Sequence, residues 1–404
     1  MKKTINSQKR KAIWLVAGGP MQLLAAQKVK ALGYALILTD GSKNCICAKL
    51  ADKFVHLDTF AINENVAMAK KLRTQYDICA VFTAGADCHE TVAVVAQHLG
   101  VHGIDPAISH MCRHKNETRS ILSKAGIAQP TVITAKSHAE AVDAAIQIGL
   151  PVALKATDNS GSRGFHRIDK IKDLTKSLFK QSLQNGTSGL VIVEELLIPL
   201  PIPMAEQSVE TVWYNGKMRW FNWTDRLFRK DFDSVKHPWK EKDNPYKNMS
   251  WAVELAHFNP ADHGPKIQKE VETLLYEAGN AIGMRKQKGG HILKADIMLT
   301  INGPRIIELT PRCSGGWDSA YSTPARGADC IGGVIHLALN GTLNEENWKR
   351  YFAFSNPNRI VSVLSKVNPR AKDCIGRRFA GGVGKDRPSA MKAAYENMCA
   401  KQWL

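Results

Sequence analysis

The sequence predicts an α/β protein with an open α/β unit first, a larger α+β region next and a small basic α+β segment last. Three observations predict this class. Apolar strands alternate with helices near the start, a strand containing Lys155 runs into a loop of small residues, and two strands near position 300 are joined by a short turn. We therefore divide the chain into domains at 1–110, 111–340 and 341–404.

The N-terminal unit is predicted from buried strands separated by helices. Residues 12–17 and 34–40 are apolar runs, and a helical pattern over 20–32 lies between them. Strands that alternate with helices form parallel sheets. The first turn lacks the third glycine of a GxGxxG motif, and Pro20 has no amide donor. We therefore favour a structural domain beside a substrate cleft over a dinucleotide site.

The middle of the chain continues with helices and antiparallel strands. Ser137 is a predicted N-cap, and Asn215-Gly216 is a predicted hairpin turn. The helices are predicted near 115–125, 137–149, 170–185 and 265–282, and the strands near 151–156, 189–195, 206–224, 291–300 and 305–309.

Composition narrows the classes of function. Of 404 residues, 44% are hydrophobic and 23% are charged, which is typical of a globular protein. A net charge of +18 suggests nucleic-acid binding. However, residues 1–12 hold five basic and no acidic residues, and residues 357–404 hold ten basic and three acidic ones. The rest is close to balanced, so the charge is weak support for a nucleic-acid partner.

Cysteine usage and hydropathy indicate the compartment. The nine cysteines form no CxxC pair, which predicts reduced thiols in a cytoplasmic protein. No apolar run approaches the roughly 18 residues of a membrane span. The sequence leaves open whether the chain forms a homo-oligomer.

Lys155 and the loop after it are typical of a phosphate site. The loop from Thr157 to Gly164 is rich in glycine and serine, and such backbone can approach phosphate oxygens closely. A lysine meets phosphate as a point charge. The spacing is not that of a P-loop. The alternative interpretation is an ordinary loop after a strand-end lysine.

Asp296 and Glu308 are candidate metal ligands. They lie on two strands joined by a turn at Asn302-Gly303, so a hairpin would let both carboxylates face one cleft. Carboxylates, phosphate oxygens and waters are the usual ligands of Mg²⁺. Arg312 follows closely and could hold an anion. Apolar neighbours argue against the alternative, a pair of solvated surface acids.

Three further features are weaker. Glu194 and Glu195 end an apolar strand, where a solvated strand end is the simpler interpretation. The small-residue loop 313–319 could approach a substrate. Residues 225–247 combine basic and aromatic side chains, which can bind anionic small molecules or nucleic acid, although a solvated loop beside a β-sheet is the slightly favoured interpretation.

The order of these features resembles the ATP-grasp superfamily of ligases over about residues 12–340. The stretch from His114-Lys115-Asn116 to Pro130 is similar to the family's "dK…k…Gip.P" segment. The strand ending at Lys155 is similar to its "P.v.KP", with Ala156 in place of proline. Residues 308–312 are similar to its "E.N.R". The resemblance is closest to carbamoyl-phosphate synthase large chains, purine-pathway ligases and amino-acid ligases.

The resemblance implies an ATP-grasp architecture, namely a pre-ATP-grasp α/β domain, two α+β subdomains and the small C-terminal segment. It also implies site residues. ATP would be bound by Lys115, Lys155, Ser160, Gly161, Ser162, Gly164, Glu194, Glu195, Leu197 and Glu206. Mg²⁺, or Mn²⁺ in its place, would be bound by Asp296, Glu308 and Thr310. The catalytic residues would be Arg312, Arg163 and Lys155. The substrate residues would be Arg226, His166, Ser314, Gly315 and Gly316.

The implied activity is an ADP-forming carboxylate–amine ligase that uses an acyl phosphate and acts on small metabolites or amino acids. The family usually has Asn where this chain has Thr310, which leaves the number of metal ions open. The alternatives are an ATP-binding protein without turnover and, less favoured, a basic nucleic-acid-binding protein.

Overall fold

A computed structural model describes residues 9–159, 161, 163–249, 253–367 and 377–404. Within these residues the strands form three sheets. The first sheet is parallel, and the other two are antiparallel.

The first sheet belongs to the N-terminal unit and has the strand order β3-β2-β1-β4. Ala12 to Val16 in its central strand are completely buried, as expected when helices cover both faces of a parallel sheet. The predicted open α/β unit is confirmed. Its elements are β1 (Arg10–Val16), α1 (Leu23–Ala31), β2 (Ala35–Asp40), β3 (Lys53–His56), α2 (Ile62–Leu72), β4 (Tyr76–Phe82), α3 (His89–Leu99) and α4 (Pro106–Arg113).

The second sheet contains the strand with Lys155 and has the order β5-β8-β6-β7. Ser137 caps the helix before that strand, because its hydroxyl accepts the Glu140 amide at 3.2 Å. The elements are α5 (Lys115–Lys124), β5 (Val132–Ala135), α6 (His138–Ile148), β6 (Val152–Ala156), β7 (His166–Ile168), α7 (Lys176–Gln184) and β8 (Val191–Glu195).

The third sheet is the largest, with seven strands in the order β13-β12-β9-β10-β11-β14-β15. Asn215 and Gly216 both have positive φ in the turn between the strands Glu206–Tyr214 and Lys217–Leu227, as the hairpin prediction requires. The elements are β9 (Glu206–Tyr214), β10 (Lys217–Leu227), β11 (Ala256–Asn259), α8 (Gly264–Ala281), β12 (Gly290–Thr300), β13 (Gly303–Thr310), α9 (Thr323–Ala325), α10 (Cys330–Asn340), α11 (Glu345–Tyr351), β14 (Ile360–Lys366), β15 (Arg378–Gly384) and α12 (Arg387–Cys399).

Side chains alternate between the two faces of the third sheet, and a register shift between β12 and β13 lets Ile306 and Leu309 join the same apolar face. One face packs against α8 in a single apolar cluster, to which the sheet contributes Val209, Leu293, Ala295, Ile297, Ile306 and Leu309. The intervening residues of β9, β12 and β13 face the other way and are mostly polar. Burial of the apolar face therefore fixes which side chains the opposite face presents.

The C-terminal segment has the predicted α+β content and extends this same sheet. Strand β14 pairs with β11, and β15 pairs with β14. Arg387 at the start of α12 forms an ion pair with Asp225 on β10. Among the described helices, none has the length and hydropathy needed to cross a membrane.

Candidate active site

Four side chains occupy adjacent positions on the polar face of β12 and β13. In the strand register, Asp296 lies opposite Glu308 and Lys294 lies opposite Thr310. All four belong to one face because residues i and i+2 of a strand point the same way. The predicted hairpin therefore brings the two predicted metal ligands side by side.

The two carboxylates of this group are paired with lysines. Asp296 Oδ2 lies 2.5 Å from Lys294 Nζ, and Glu308 Oε1 lies 2.9 Å from Lys115 Nζ. Burial alone raises the pKa of each carboxyl group, but the neighbouring cations outweigh it and hold both pKa values below their ordinary range. Both groups are therefore ionised at neutral pH.

Two oxygens of the group are left without a hydrogen bond. Within the described part of the chain, Asp296 Oδ1 and Thr310 Oγ1 are buried and have no partner. Buried polar atoms normally have partners, and oxygen atoms are the ligands that Mg²⁺ prefers. This donor set fits an Mg²⁺ or Mn²⁺ ion.

Lys155 is held by a buried carboxylate. Its Nζ lies 2.5 Å from Glu194 Oε2, and Arg119 Nε lies 2.7 Å from Glu194 Oε1. Burial raises the pKa of Glu194, but the two cations lower it more, to about 2. The Glu194 carboxylate is thus engaged by two cations, and Lys155 is directed by β8 as well as by its own strand.

Lys115 connects the acid pair to the loop after Lys155. Besides its contact with Glu308, Lys115 Nζ donates to the Asn159 carbonyl at 2.6 Å. Arg163 in the same loop donates to Asn159 Oδ1 at 2.8 Å. Gly161 and Gly164 have positive φ, which suits their residue type. The predicted residues Ser160 and Ser162 lie outside the described residues.

The predicted nucleotide residues Glu195, Leu197 and Glu206 lie at the end of β8, in the connection that follows it and at the start of β9. The Glu195 amide donates to the Thr131 carbonyl at 2.9 Å, and Leu197 follows in the half-buried connection to β9. Glu206 starts β9 and accepts from Arg226 Nη1 at 2.5 Å. These residues therefore follow the chain from the end of β8 in the second sheet to the start of β9 in the third.

Arg226 bridges three acids. In addition to Glu206, it contacts Glu254 Oε2 at 2.9 Å and Asp296 Oδ2 at 3.5 Å. Arg226, a predicted substrate residue, therefore contacts Asp296 of the acid pair directly. His166 is placed elsewhere, opposite Leu154 on β6, and burial lowers its pKa.

Arg312 is bound by the N-terminal unit. Its Nη2 lies 2.5 Å from Asp87 Oδ1, and its Nε lies 3.1 Å from the same oxygen. The Cys313 amide also donates to the Ala84 carbonyl at 3.2 Å. At Gly85, an added Cβ would lie 3.0 Å from the Ser314 carbonyl oxygen. The loop after β4 therefore forms one wall of the site.

The loop after Arg312 is anchored by buried acids. Glu210 Oε1 accepts the Ser314 amide at 2.7 Å. Asn222 Nδ2 donates to both Glu210 at 2.9 Å and Asp318 at 3.2 Å. Burial, and then the charge of Asp318, raise the pKa of Glu210 to about 7. The half-buried Gly315 and Gly316 lie between these anchors.

Sequence reasoning missed several charged members of the site, among them Arg119, Lys294, Asp87 and Glu254. Two of them left a signal. Arg119 lies four residues after Lys115 on one helix, and Lys294 lies two residues before Asp296 on one strand, so both pairs share a face. Asp87 and Glu254 meet their arginines through tertiary contacts, which no local pattern shows.

This architecture is the ATP-grasp fold. The chain is similar to a phosphoribosylglycinamide synthetase from Anaerococcus prevotii, with a TM-score of 0.63, 18% identity, and coverage of 89% of this chain and 81% of that one. It is similar to an L-amino acid ligase from Bacillus licheniformis, with a TM-score of 0.65, 16% identity, and coverage of 89% and 80%.

The ADP complex of an N5-carboxyaminoimidazole ribonucleotide synthetase is similar over 97% of this chain and 96% of that one, with a TM-score of 0.67 and 14% identity. Among curated proteins, the uncharacterized protein y4rH of Sinorhizobium fredii (strain NBRC 101917 / NGR234) is 29% identical over 291 residues. The match covers 71% of this chain but only 54% of that protein. No protein-family model matches the chain.

Proposed function

We propose that the chain is an ATP- and Mg²⁺-dependent carbon–nitrogen ligase. It activates a carboxylate as an acyl phosphate, couples it to an amine and releases ADP and phosphate. One observation carries the proposal, the acid pair of Asp296 and Glu308 beside Lys115, with buried, unpartnered oxygens on Asp296 and Thr310. The solved structures with this fold include proteins described as synthetases and as an L-amino acid ligase.

ATP lies between the second and third sheets in this proposal. Lys115 and Lys155 hold its phosphates, and the loop 158–164 covers them. Glu194 orients Lys155, the Glu195 carbonyl and the Leu197 amide meet the adenine edge, and Glu206 meets the ribose. Lys115 contacts both Glu308 and the loop carbonyl of Asn159, so its charge lies beside both the proposed metal ligand and the loop.

Asp296, Glu308 and Thr310 would hold the metal. Mg²⁺ bound there supplies positive charge to the phosphate oxygens. The protein's own cations supply the rest from fixed positions, which is how phosphoryl transfer is chiefly catalysed.

The proposed reaction proceeds by two successive displacements. A substrate carboxylate oxygen attacks the terminal phosphorus of ATP, and ADP leaves. The amine nitrogen then attacks the acyl carbon, phosphate leaves, and the nitrogen loses a proton. Arg312 steadies the phosphoryl group, while Arg163 and Arg226 bind the acid. The backbone of Ser314, Gly315 and Gly316 lines the acceptor side.

The substrates are small molecules and the compartment is the cytoplasm. The eight described cysteines are free thiols, which supports a reducing compartment. The net charge lies mostly at the ends of the chain, outside the site, which favours small substrates over nucleic acid.

A coupled assay of phosphate release tests the proposed function. Pairs of amino acids and other small acids and amines are screened with ATP and Mg²⁺, and the nucleotide product is identified. We expect ADP and phosphate only when both an acid and an amine are present. AMP and pyrophosphate, or ATP binding without turnover across the panel, would contradict it. Glu308→Gln is the inactive control, and Glu345→Gln on exposed α11 is the matched active control.

A further inference from the structure

The acid site contains a buried cation that the proposed chemistry has not used. Lys294 is only 8% exposed, and its Nζ is 2.5 Å from Asp296 Oδ2. Burying an ammonium group is costly unless the group is paired. Its partner here is a carboxylate whose other oxygen is unpartnered. The lysine is therefore part of the charge balance of this site.

Lys294 has one register partner on each adjacent strand of the sheet. On β13 its register partner is Thr310, whose hydroxyl is neutral and has no described partner. On β9 its register partner is Glu210, whose oxygens already accept from Ser314 and Asn222. The ammonium is held by Asp296, and its register partners on the sheet are one neutral hydroxyl and one carboxylate that is already hydrogen-bonded.

The charges in contact with the acid pair limit the number of divalent ions. Asp296 and Glu308 carry two negative charges. Lys294 and Lys115 each pair with one of these acids, and Arg226, which is shared with Glu206 and Glu254, lies 3.5 Å from Asp296. Like charges at such distances repel strongly in a buried site. Among the described residues of this group, Asp296 Oδ1 and Thr310 Oγ1 are unpartnered, and together with Glu308 they offer ligands for one ion.

We propose that the site takes one divalent cation, at Asp296, Glu308 and Thr310, and that Lys294 supplies the positive charge of a second. This inference rests on the proposed function, because the charge of Lys294 would act on the phosphates of the proposed nucleotide. A fixed ammonium group is already oriented before the substrate arrives. It donates as a point charge and imposes no coordination geometry.

The test counts Mn²⁺ ions bound per chain, using electron paramagnetic resonance of the unbound ion. The count is made on the protein alone and with ADP. We expect one ion in the wild type. Lys294→Gln removes the charge and offers an amide oxygen beside Asp296, so we expect two ions. Lys294→Thr, which suits a strand, is measured in parallel and is also expected to bind two. Lys217→Gln, at an exposed end of β10, is the control and keeps one.

Two ions in the wild type would overturn the proposal. One ion in both Lys294 variants, with circular dichroism showing that they are folded, would also overturn it. ADP binding is measured separately by calorimetry. Failure to bind ADP would contradict the proposed function, whereas the Mn²⁺ count on the protein alone still decides the role of Lys294.

Discussion

Glu194 has no exposed surface, and its two oxygens accept from Lys155 and Arg119. Arg119 also donates to the carbonyl of Ile307, at 2.6 Å, just before the proposed metal ligand Glu308. One buried carboxylate thereby joins Lys155, the proposed phosphate ligand, to the strand that carries Glu308. From its sequence position, Glu194 looks like a solvated strand end, because nothing local shows that two cations enclose it.

Glu194→Gln should strongly destabilise the chain. Removing one partner of a buried ion pair leaves the other charges uncompensated, which costs about 3–5 kcal/mol. We expect a loss of this size in the free energy of unfolding, measured by urea titration at pH 7. Glu345→Gln, which removes the exposed pair with Arg219, should change it little. An equally small effect of both substitutions would contradict the buried network.

Among the larger elements, the loop after Arg312 is built from distant parts of the chain. Glu210 on β9 accepts its Ser314 amide, and Ala84 after β4 accepts its Cys313 amide. The hairpin of β12 and β13 could be predicted because alternation and the turn are local signals. The position of this loop could not, because it depends on contacts about one hundred or more residues apart.

The stability of this loop region should depend on the ionisation of Glu210. Its pKa is raised from an ordinary 4.5 to about 7 by burial and by Asp318. The folded state therefore holds a proton that the unfolded state has lost, and this contribution is complete below pH 4.5 and disappears as pH rises to about 7. We expect the melting temperature of the wild type to fall between pH 5 and 8 relative to that of Glu210→Gln.

Calorimetric scans at several pH values check this prediction. The exposed Glu396→Gln serves as the control and should follow the wild type across the range. A wild-type melting temperature that keeps a constant offset from that of Glu210→Gln would show that Glu210 is ionised throughout.

At the scale of the whole molecule, the fold class and the main polar residues follow from the sequence, and the assembly of the site does not. The open α/β unit, the lysine strand and the acid hairpin are each local patterns. The site also needs Asp87 from the first unit and Arg387 from the last, which contacts Asp225 beside Arg226. The basic C-terminal segment is therefore part of the sheet that carries the site.

The central claim is that a carboxylate is activated by phosphorylation. The most direct measurement follows oxygen from a substrate acid labelled with ¹⁸O in its carboxylate, using mass spectrometry of the released phosphate. An acyl phosphate passes one carboxylate oxygen to phosphate, so we predict one ¹⁸O atom in each phosphate released. Unlabelled phosphate, or label in AMP, would contradict the claim.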